Sequence, residues 1–194
     1  MKIIFIRHGK TKGNIEHRYV GATEESLCEE GIQTLMEYKE KDLYPEVDSI
    51  YISPQRRCME TARILYPDRE YITCSDLREC NFGEFEYKNY IELKENDNYQ
   101  KWIDSNGTMN FPNGEGVAEF KGRCQKEFEQ IISSARVETA ALIVHGGTIM
   151  SILHKFALPH KDYYDWQIGN GEGFIAKVAK DKSLEILKMI KYKE

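Results

Sequence analysis

Two apolar runs of this chain each end at a histidine. The run 2–6 is followed by Arg7 and His8, and the run 140–144 is followed by His145. A guanidinium fork binds phosphoryl oxygens in pairs, and an imidazole beside it can attack phosphorus as a nucleophile. These residues therefore indicate phosphoryl-transfer chemistry.

Two further groups suited to this chemistry follow the other apolar runs. Arg57 comes shortly after the run 49–52, and Glu79 comes shortly after the run 70–74. A helix that begins after Gly146 would also offer its first backbone N–H groups to an anion. If the four runs are parallel strands, their carboxyl ends meet at one edge of the sheet, where ligands bind in open α/β folds. We therefore expect both arginines, both histidines and the glutamate to share one pocket.

Strands and helices alternate along the chain and must position these residues. The four apolar runs predict strands, and the patterns at 173–178 and 184–190 predict a terminal hairpin. A capping box begins at Ser26, and Ser53 is expected to cap the next helix. Helices are predicted over about 26–40, 53–65, 90–95, 117–134 and 148–156. This order predicts an α/β fold, a three-layer sandwich in which a mostly parallel sheet carries helices on both faces.

The segment from about 81 to 113 is polar, aromatic and irregular in pattern. We expect it to form a small helical insert over the active site that acts as a lid, because aromatic side chains commonly wall substrate pockets. A lobe that only packs on itself is the alternative. The chain of 194 residues fits a single domain over 1–194.

Composition limits the partners and the compartment. The chain carries 27 basic and 32 acidic residues, a net charge of −5, which argues against a nucleic-acid partner. No apolar run is long enough to span a bilayer, and no signal peptide is visible. The 5 cysteines are an odd number without a CxxC spacing, which favours reduced thiols over disulfides or a zinc site. We expect a cytoplasmic protein.

Five segments resemble the signature of the histidine phosphatase superfamily, in its phosphoglycerate-mutase-like branch. They occur in the family's order: Arg7-His8-Gly9-x-Thr11-x-x-Asn14, Ser53-x-x-x-Arg57-Cys58-x-Glu60-Thr61-Ala62, Leu77-Arg78-Glu79 with Phe82-Gly83, Pro112-Asn113-Gly114-Glu115 followed by Arg123, and Val144-His145-Gly146-Gly147. The segment from Arg18 to Gly31 is similar to that of α-ribazole phosphatases and related small phosphatases. Lys10, Tyr87 and Gly116 depart from the family pattern, mainly around the substrate pocket.

The resemblance implies a role for each member of the expected pocket. His8 would attack phosphorus and form a phosphohistidine, while Arg7, Arg57 and His145 would hold the phosphoryl oxygens. Glu79 would protonate the leaving oxygen and then activate water. Because fixed cations supply the charge, no metal and no other cofactor is expected.

The resemblance also implies substrate-binding roles for Asn14, Gly21 and Gly146. Family members differ in which acid serves as the proton donor. Glutamates that could replace Glu79 in that role are Glu84, Glu86 and Glu115.

The implied function is metal-independent hydrolysis of a small phosphomonoester, with α-ribazole phosphate as one candidate substrate. A phosphoglycerate mutase is the first alternative, because it also uses a phosphohistidine. An inactive phosphate-binding module is the second. The expected partner is therefore a small molecule, and the sequence leaves the oligomeric state open.

Overall fold

The computed structural model describes residues 1–191, and one seven-stranded sheet runs through it. The strand order is β3-β2-β4-β1-β6-β7-β5. The strands are β1 (Lys2–Arg7), β2 (Ser49–Ile52), β3 (Ile72–Thr73), β4 (Thr139–Val144), β5 (Ala157–Leu158), β6 (Gly173–Val178) and β7 (Leu184–Ile190). Strand pairing is parallel except where β6 joins β1 and β7, so the mostly parallel sheet and the terminal hairpin are confirmed.

Helices cover both faces of the sheet. They are α1 (Lys12–Ile15), α2 (Glu29–Glu40), α3 (Arg56–Leu65), α4 (Tyr90–Leu93), α5 (Asp97–Asp104), α6 (Val117–Ser134) and α7 (Gly146–Phe156). Alternate residues of a strand face opposite sides, so Phe5 packs with Phe128 of α6 and Ile6 packs in the cluster that holds Leu35 of α2. The predicted three-layer sandwich is confirmed.

The strand register brings distant segments to one edge. In β1, Arg7 aligns with Val144 of β4, and Ile143 aligns with Ile52 of β2. The chain therefore leaves all three strands at nearly the same height, which places His8, Ser53 and His145 beside one another.

Both predicted serine caps are wrong. Cys28 precedes α2 and Gln55 precedes α3, and neither makes a side-chain capping hydrogen bond. Ser53 instead hydrogen-bonds the ring of His145, which is 92 positions away in the chain. The same hydroxyl also accepts from the N–H of Gln55 at 3.4 Å, one residue before α3 begins, so it serves both a tertiary partner and the turn into the helix.

Other differences are smaller. The strand predicted over 70–74 pairs only at Ile72–Thr73, because the chain turns into a 3₁₀ helix at Ser75–Leu77. Helix α7 begins at Gly146 rather than Thr148, directly after His145. Strand β5 was not predicted, since its two residues carry no pattern of their own.

The segment 81–113, which we call the aromatic lobe, holds a 3₁₀ helix at Gly83–Phe85 followed by α4 and α5. Its rings pack mainly edge to face: Phe85 meets Tyr99 at 5.4 Å between centroids, and Phe82 meets Phe111 at 5.0 Å. Trp102 stacks on Tyr99 at 6.0 Å. The small helical insert is therefore present. No helix among the described residues combines the length and the apolar character needed to cross a membrane.

Candidate active site

A cavity of about 870 Å³ opens at the carboxyl edge of β1 and β4. The sheet edge supplies Arg7, His8 and Gly146 to its wall, and Glu79 lies beside them. Further wall residues come from the segment 18–20, the aromatic lobe, the first turns of α6, the α7 helix and the segment 162–167. Five of the predicted site residues therefore face the same cavity as the predicted insert: Arg7, His8, Asn14, Glu79 and Gly146.

His8 is buried at the base of this cavity. Its Nδ1 lies 2.7 Å from the carbonyl oxygen of Gly9. A carbonyl can only accept, so Nδ1 carries the proton and Nε2 keeps its lone pair. Burial holds the pKa of His8 well below its usual value, and the charges of Arg57 and Arg7 lower it further. The ring is therefore neutral, with an unprotonated nitrogen.

His145 lies behind His8, with 5.2 Å between the ring centroids. Arg57 Nε donates to His145 Nδ1 at 3.3 Å, so Nε2 carries the proton and donates to Ser53 Oγ at 2.7 Å. Burial holds the pKa of His145 well below its usual value, and Arg57 adds to the effect. Both nitrogens are thus fixed by protein partners.

Arg57 is fully buried on the other side of His145. Its Nη1 donates to the Thr23 carbonyl and its Nη2 to the Gly21 carbonyl, each at 2.8 Å. No ion pair within residues 1–191 joins Arg57 to a carboxylate. Its charge therefore acts on the cavity without a protein counter-ion, although Arg57 and His145 lie one layer behind the wall.

Gly21 does not line the cavity, which differs from the substrate-binding role predicted for it. Its carbonyl oxygen accepts from Arg57 and from Gln55 Nε2, the latter at 2.7 Å. A β-carbon at Gly21 would lie only 2.0 Å from the carbonyl oxygen of Cys80. Only glycine allows this approach, so Gly21 acts on the site by orienting Arg57.

Arg7 borders the cavity beside Gly146. Its Nη1 donates to the carbonyl of Ile168 at 2.6 Å, while its buried Nε has no hydrogen-bond partner in the described chain. Burial lowers the pKa of Arg7, and Glu79 and Glu172 oppose that effect. A buried N–H without a partner is unfavourable, so an anion in the cavity would satisfy it.

Glu79 is buried and faces the cavity. Its Oε2 accepts from the N–H of Gly147, the second residue of α7, and its Oε1 accepts from the N–H of Cys80, both at 3.0 Å. Burial raises the pKa of Glu79 although these hydrogen bonds and both arginines oppose it. A β-carbon at Gly147 would lie 2.4 Å from Oε1, so glycine admits the carboxyl. The raised pKa makes Glu79 a better proton donor than an exposed glutamate would be.

The three glutamates named as substitutes are engaged elsewhere. Glu86 accepts from the backbone N–H groups of Gly21, Thr23 and Phe82. Glu84 accepts from the side chains of Asn98 and Asn113. Glu115 forms a bidentate ion pair with Arg123: Oε1 accepts from Nε at 2.6 Å and Oε2 accepts from Nη2 at 2.8 Å. Of the four candidates, Glu79 alone lines the cavity.

Asn14 lines the cavity, as predicted for a neutral donor. Its Oδ1 accepts from the N–H and the hydroxyl of Thr11 and from Asn170 Nδ2. The oxygen is therefore occupied, and Nδ2 is the atom left to donate to a ligand. Asn170 also donates to the carbonyl of His8 at 3.1 Å.

Sequence reasoning missed Asn170, Gln55 and Tyr163. Gln55 joins two site segments: Nε2 donates to Gly21, and Oε1 accepts from the N–H of Glu79 at 2.9 Å. Tyr163 lines the cavity and donates to the Gly147 carbonyl at 3.3 Å. Of these three residues, only Gln55 could have been singled out from the sequence, because it lies within the Ser53–Arg57 motif.

Neither a metal-ligand cluster nor a disulfide occurs among residues 1–191. Within residues 1–191, histidine, cysteine, aspartate and glutamate side chains form no group of three or more that could hold a metal ion. The five cysteines are free thiols. Arg7 and Arg57 are positive charges that act on both His8 and Glu79.

Comparisons with known proteins give the family. Residues 3–188 match the histidine phosphatase superfamily (branch 1). The chain is 23% identical over 176 residues to an adenosylcobalamin/alpha-ribazole phosphatase of Escherichia coli K12, with 88% of this chain and 87% of the relative covered. It is 26% identical over 161 residues to phosphoglycerate mutase-like protein 4 of Arabidopsis thaliana, covering 79% and 70%.

A solved structure shares the fold. The phosphoserine phosphatase of Entamoeba histolytica, in complex with 3-phosphoglyceric acid, superposes with a TM-score of 0.78 at 23% identity, covering 97% of this chain and 95% of that one. These names differ in their substrates, whereas the family match spans nearly the whole chain. The chain is therefore a phosphatase and belongs to the histidine phosphatase superfamily, branch 1.

Proposed function

We propose that this phosphatase hydrolyses a small phosphomonoester, without a metal ion, through a phosphohistidine on His8. One observation carries the proposal: the Nδ1–H···O=C bond from His8 to Gly9 leaves Nε2 unprotonated beside two arginines. An unprotonated imidazole in a cationic, buried setting suits nucleophilic attack on a phosphoryl dianion.

The first half-reaction transfers the phosphoryl group to the protein. His8 Nε2 forms a bond to phosphorus, and the bond from phosphorus to the alcohol oxygen breaks. Glu79 gives its proton to that oxygen, so the alcohol leaves neutral. The Gly9 carbonyl continues to accept from Nδ1 and stabilises the positive charge that the ring acquires.

The second half-reaction regenerates the enzyme. The Glu79 carboxylate takes a proton from a water molecule as that water attacks phosphorus, and the N–P bond breaks. Inorganic phosphate leaves and His8 returns to its neutral form. In both steps Arg7 and Asn14, which reach the cavity, bind the phosphoryl oxygens, Arg57 adds its positive charge from the layer behind, and His145 positions Arg57.

The proposal also extends to the substrate, the lid and the cellular location. The E. coli relative makes α-ribazole phosphate one candidate, and the E. histolytica structure makes phosphoserine another. The aromatic lobe serves as the lid over the bound substrate, within one domain. Five free thiols fit a cytoplasmic location.

Phosphoglycerate mutase is the second candidate, favoured by the mutase-like name of the A. thaliana relative. A mutase must shield the phosphohistidine from water and return the phosphoryl group to a bound acceptor. Adding phosphoglycerate and following isomer exchange against phosphate release separates the two activities. An inactive module is the less supported alternative, because His8, Glu79 and Arg7 all reach the cavity.

The test is trapping of the phosphoenzyme. Wild-type protein mixed with an activated aryl phosphate and quenched within one turnover should carry acid-labile, base-stable phosphate. His8→Ala should carry none and should lose hydrolysis, because the proposed nucleophilic nitrogen is then missing. His160→Ala, at an exposed histidine, is the matched control and should match wild type.

The same assay tests the metal requirement. Activity should persist in EDTA, as should inhibition by vanadate, since the arginines supply the charge. Full turnover by His8→Ala, or activity lost in EDTA and restored by a divalent ion, would contradict the proposal.

A further inference from the structure

Lys121 stands in the cavity wall without an anionic partner. Val117, Phe120 and Lys121 lie on one face of α6 and line the cavity together. The Lys121 ammonium sits 4.0 Å from the centroid of the Tyr163 ring, a cation–π contact that orients it. Within residues 1–191, no hydrogen bond or ion pair is found for this ammonium.

The position of Lys121 is separate from the sheet-edge residues. Tyr163 lies between them, because its hydroxyl donates to Gly147 while its ring contacts Lys121. The positive charges that act on His8 and Glu79 are those of Arg57 and Arg7, and Lys121 is not among them. Tyr163 therefore separates Lys121 from the sheet-edge residues that would hold the transferred phosphoryl group.

The acidic groups of the cavity do not neutralise Lys121. Burial lowers its pKa, and no carboxylate acts to raise it. Asp162 and Asp165 border the same cavity, but each accepts a backbone N–H of the other at the ends of the 3₁₀ helix Tyr163–Trp166. Glu79 is held by Cys80 and Gly147.

We propose that Lys121 is a specificity-determining residue that binds a second anionic group, of carboxylate size, on the leaving group of the substrate. The proposal rests on the proposed phosphomonoesterase function. A partly desolvated ammonium without a counter-ion is unfavourable in the free protein, and a ligand carboxylate would give it a charge-assisted hydrogen bond.

This role for Lys121 ranks the candidate substrates by whether they carry a second anionic group. Phosphoserine carries a carboxylate a few bonds from its phosphate, whereas the alcohol of α-ribazole phosphate carries no anionic group. Lys121 therefore favours acid-bearing phosphomonoesters.

The test compares two phosphomonoesters that differ by one carboxylate, phosphoserine and phosphoethanolamine. The readout is the ratio of their kcat/KM values. Lys121→Met keeps an apolar stem but removes the charge, and should lower the phosphoserine-to-phosphoethanolamine ratio by about ten- to hundredfold. Lys121→Arg should keep most of the ratio, and Lys126→Met, at an exposed lysine of the same helix, should leave it unchanged.

Binding measurements in a His8→Ala background make the test independent of turnover. Titration calorimetry with each ligand should show a carboxylate preference that Lys121→Met removes. An unchanged ratio in Lys121→Met, or an equal fall for both substrates, would overturn the assignment. If neither compound is turned over but the binding preference depends on Lys121, the proposed reaction fails and the binding role stands.

Discussion

Two regions of the molecule face the same cavity and are held together in opposite ways. The sheet-edge cluster, His8, Arg7, Arg57, His145 and Glu79, is fixed by hydrogen bonds to backbone and side-chain partners in distant segments. The aromatic lobe is held mainly by ring contacts 5.0 to 6.1 Å apart. Directional bonds fix atoms within narrow limits, whereas apolar contacts tolerate changes of shape.

The difference matches the demands on each region. Phosphoryl transfer requires charges at set positions, and a small displacement there is costly. The wall that meets the leaving group requires fit and exclusion of water, which rings supply. We therefore expect substitutions in the cluster to change rate, and substitutions in the lobe to change substrate preference.

The largest expected effect is that of Glu79→Gln in the cluster. With an alkyl phosphate, phosphorylation of His8 should slow by about 10²–10⁴-fold, because the alkoxide then leaves without its proton. An activated aryl phosphate should be affected far less in that step. The measurement is single-turnover phosphorylation of His8 with each substrate class.

Glu84→Gln, in the lobe, is the control and should match wild type with both substrates. Equal slowing of the alkyl and aryl substrates by Glu79→Gln would show that Glu79 acts only through structure.

The cluster should also make folding stability depend on pH. His8 and His145 have pKa values held well below their unfolded values, so only the unfolded chain takes up protons as the pH falls below about 6.5. The contribution of these two histidines to the free energy of unfolding should therefore be fully present above that pH. On acidification it should fall by up to about 1.4 kcal/mol per pH unit for each histidine. The raised pKa of Glu79 acts in the opposite direction, favouring the folded state at low pH and losing that contribution as pH rises.

Urea unfolding of His8→Gln and of wild type at several pH values isolates one of these groups. The variant should lose less stability on acidification than wild type. His160→Gln, at an exposed histidine, should keep the wild-type slope. The same slope in all three proteins would mean that His8 is not buried in its neutral form.

The smallest expected effect concerns the link between the two regions. Glu86 lies in the lobe but accepts from the N–H groups of Gly21 and Thr23, both at 2.8 Å, and the carbonyls of these two residues hold Arg57. Glu86→Gln weakens that support and should lower kcat/KM by about tenfold, equivalent to about 1.4 kcal/mol, for all substrates alike.

Glu84→Gln removes a nearby carboxylate with no such link and should have little effect on kcat/KM. A change of substrate preference in Glu86→Gln, without a loss of rate, would place Glu86 in the leaving-group wall instead.

Much of this arrangement could be predicted from the sequence because its signals are local. Uninterrupted apolar runs predicted β1, β2 and β4, and their parallel order predicted that Arg7 and His145 meet at one edge. The sequence did not decide which glutamate is the proton donor. The structure favours Glu79, because Glu86 and Glu115 are hydrogen-bonded to other partners.

The remainder could not be predicted because it depends on pairs far apart in the chain. Asn170 reaches the carbonyl of His8 across 162 positions, and no local pattern marks it. Ser53 has the sequence of a helix cap but serves His145. Lys121 has no distinguishing neighbour in sequence. That no carboxylate within residues 1–191 pairs with it is visible only once α6 is packed against the cavity.

Glu86 accepts hydrogen bonds from the loop that carries Gly21 and Thr23. This contact limits which segments of the lobe can be exchanged between related enzymes. Residues 97–111 contribute Trp102, Thr108 and Phe111 to the cavity wall, so replacing them should change which alcohol is accepted. A replacement that removes Glu86 would also release the carbonyls that hold Arg57. A chimera that retains residues 82–86 should therefore inherit a new substrate range with the original chemistry intact.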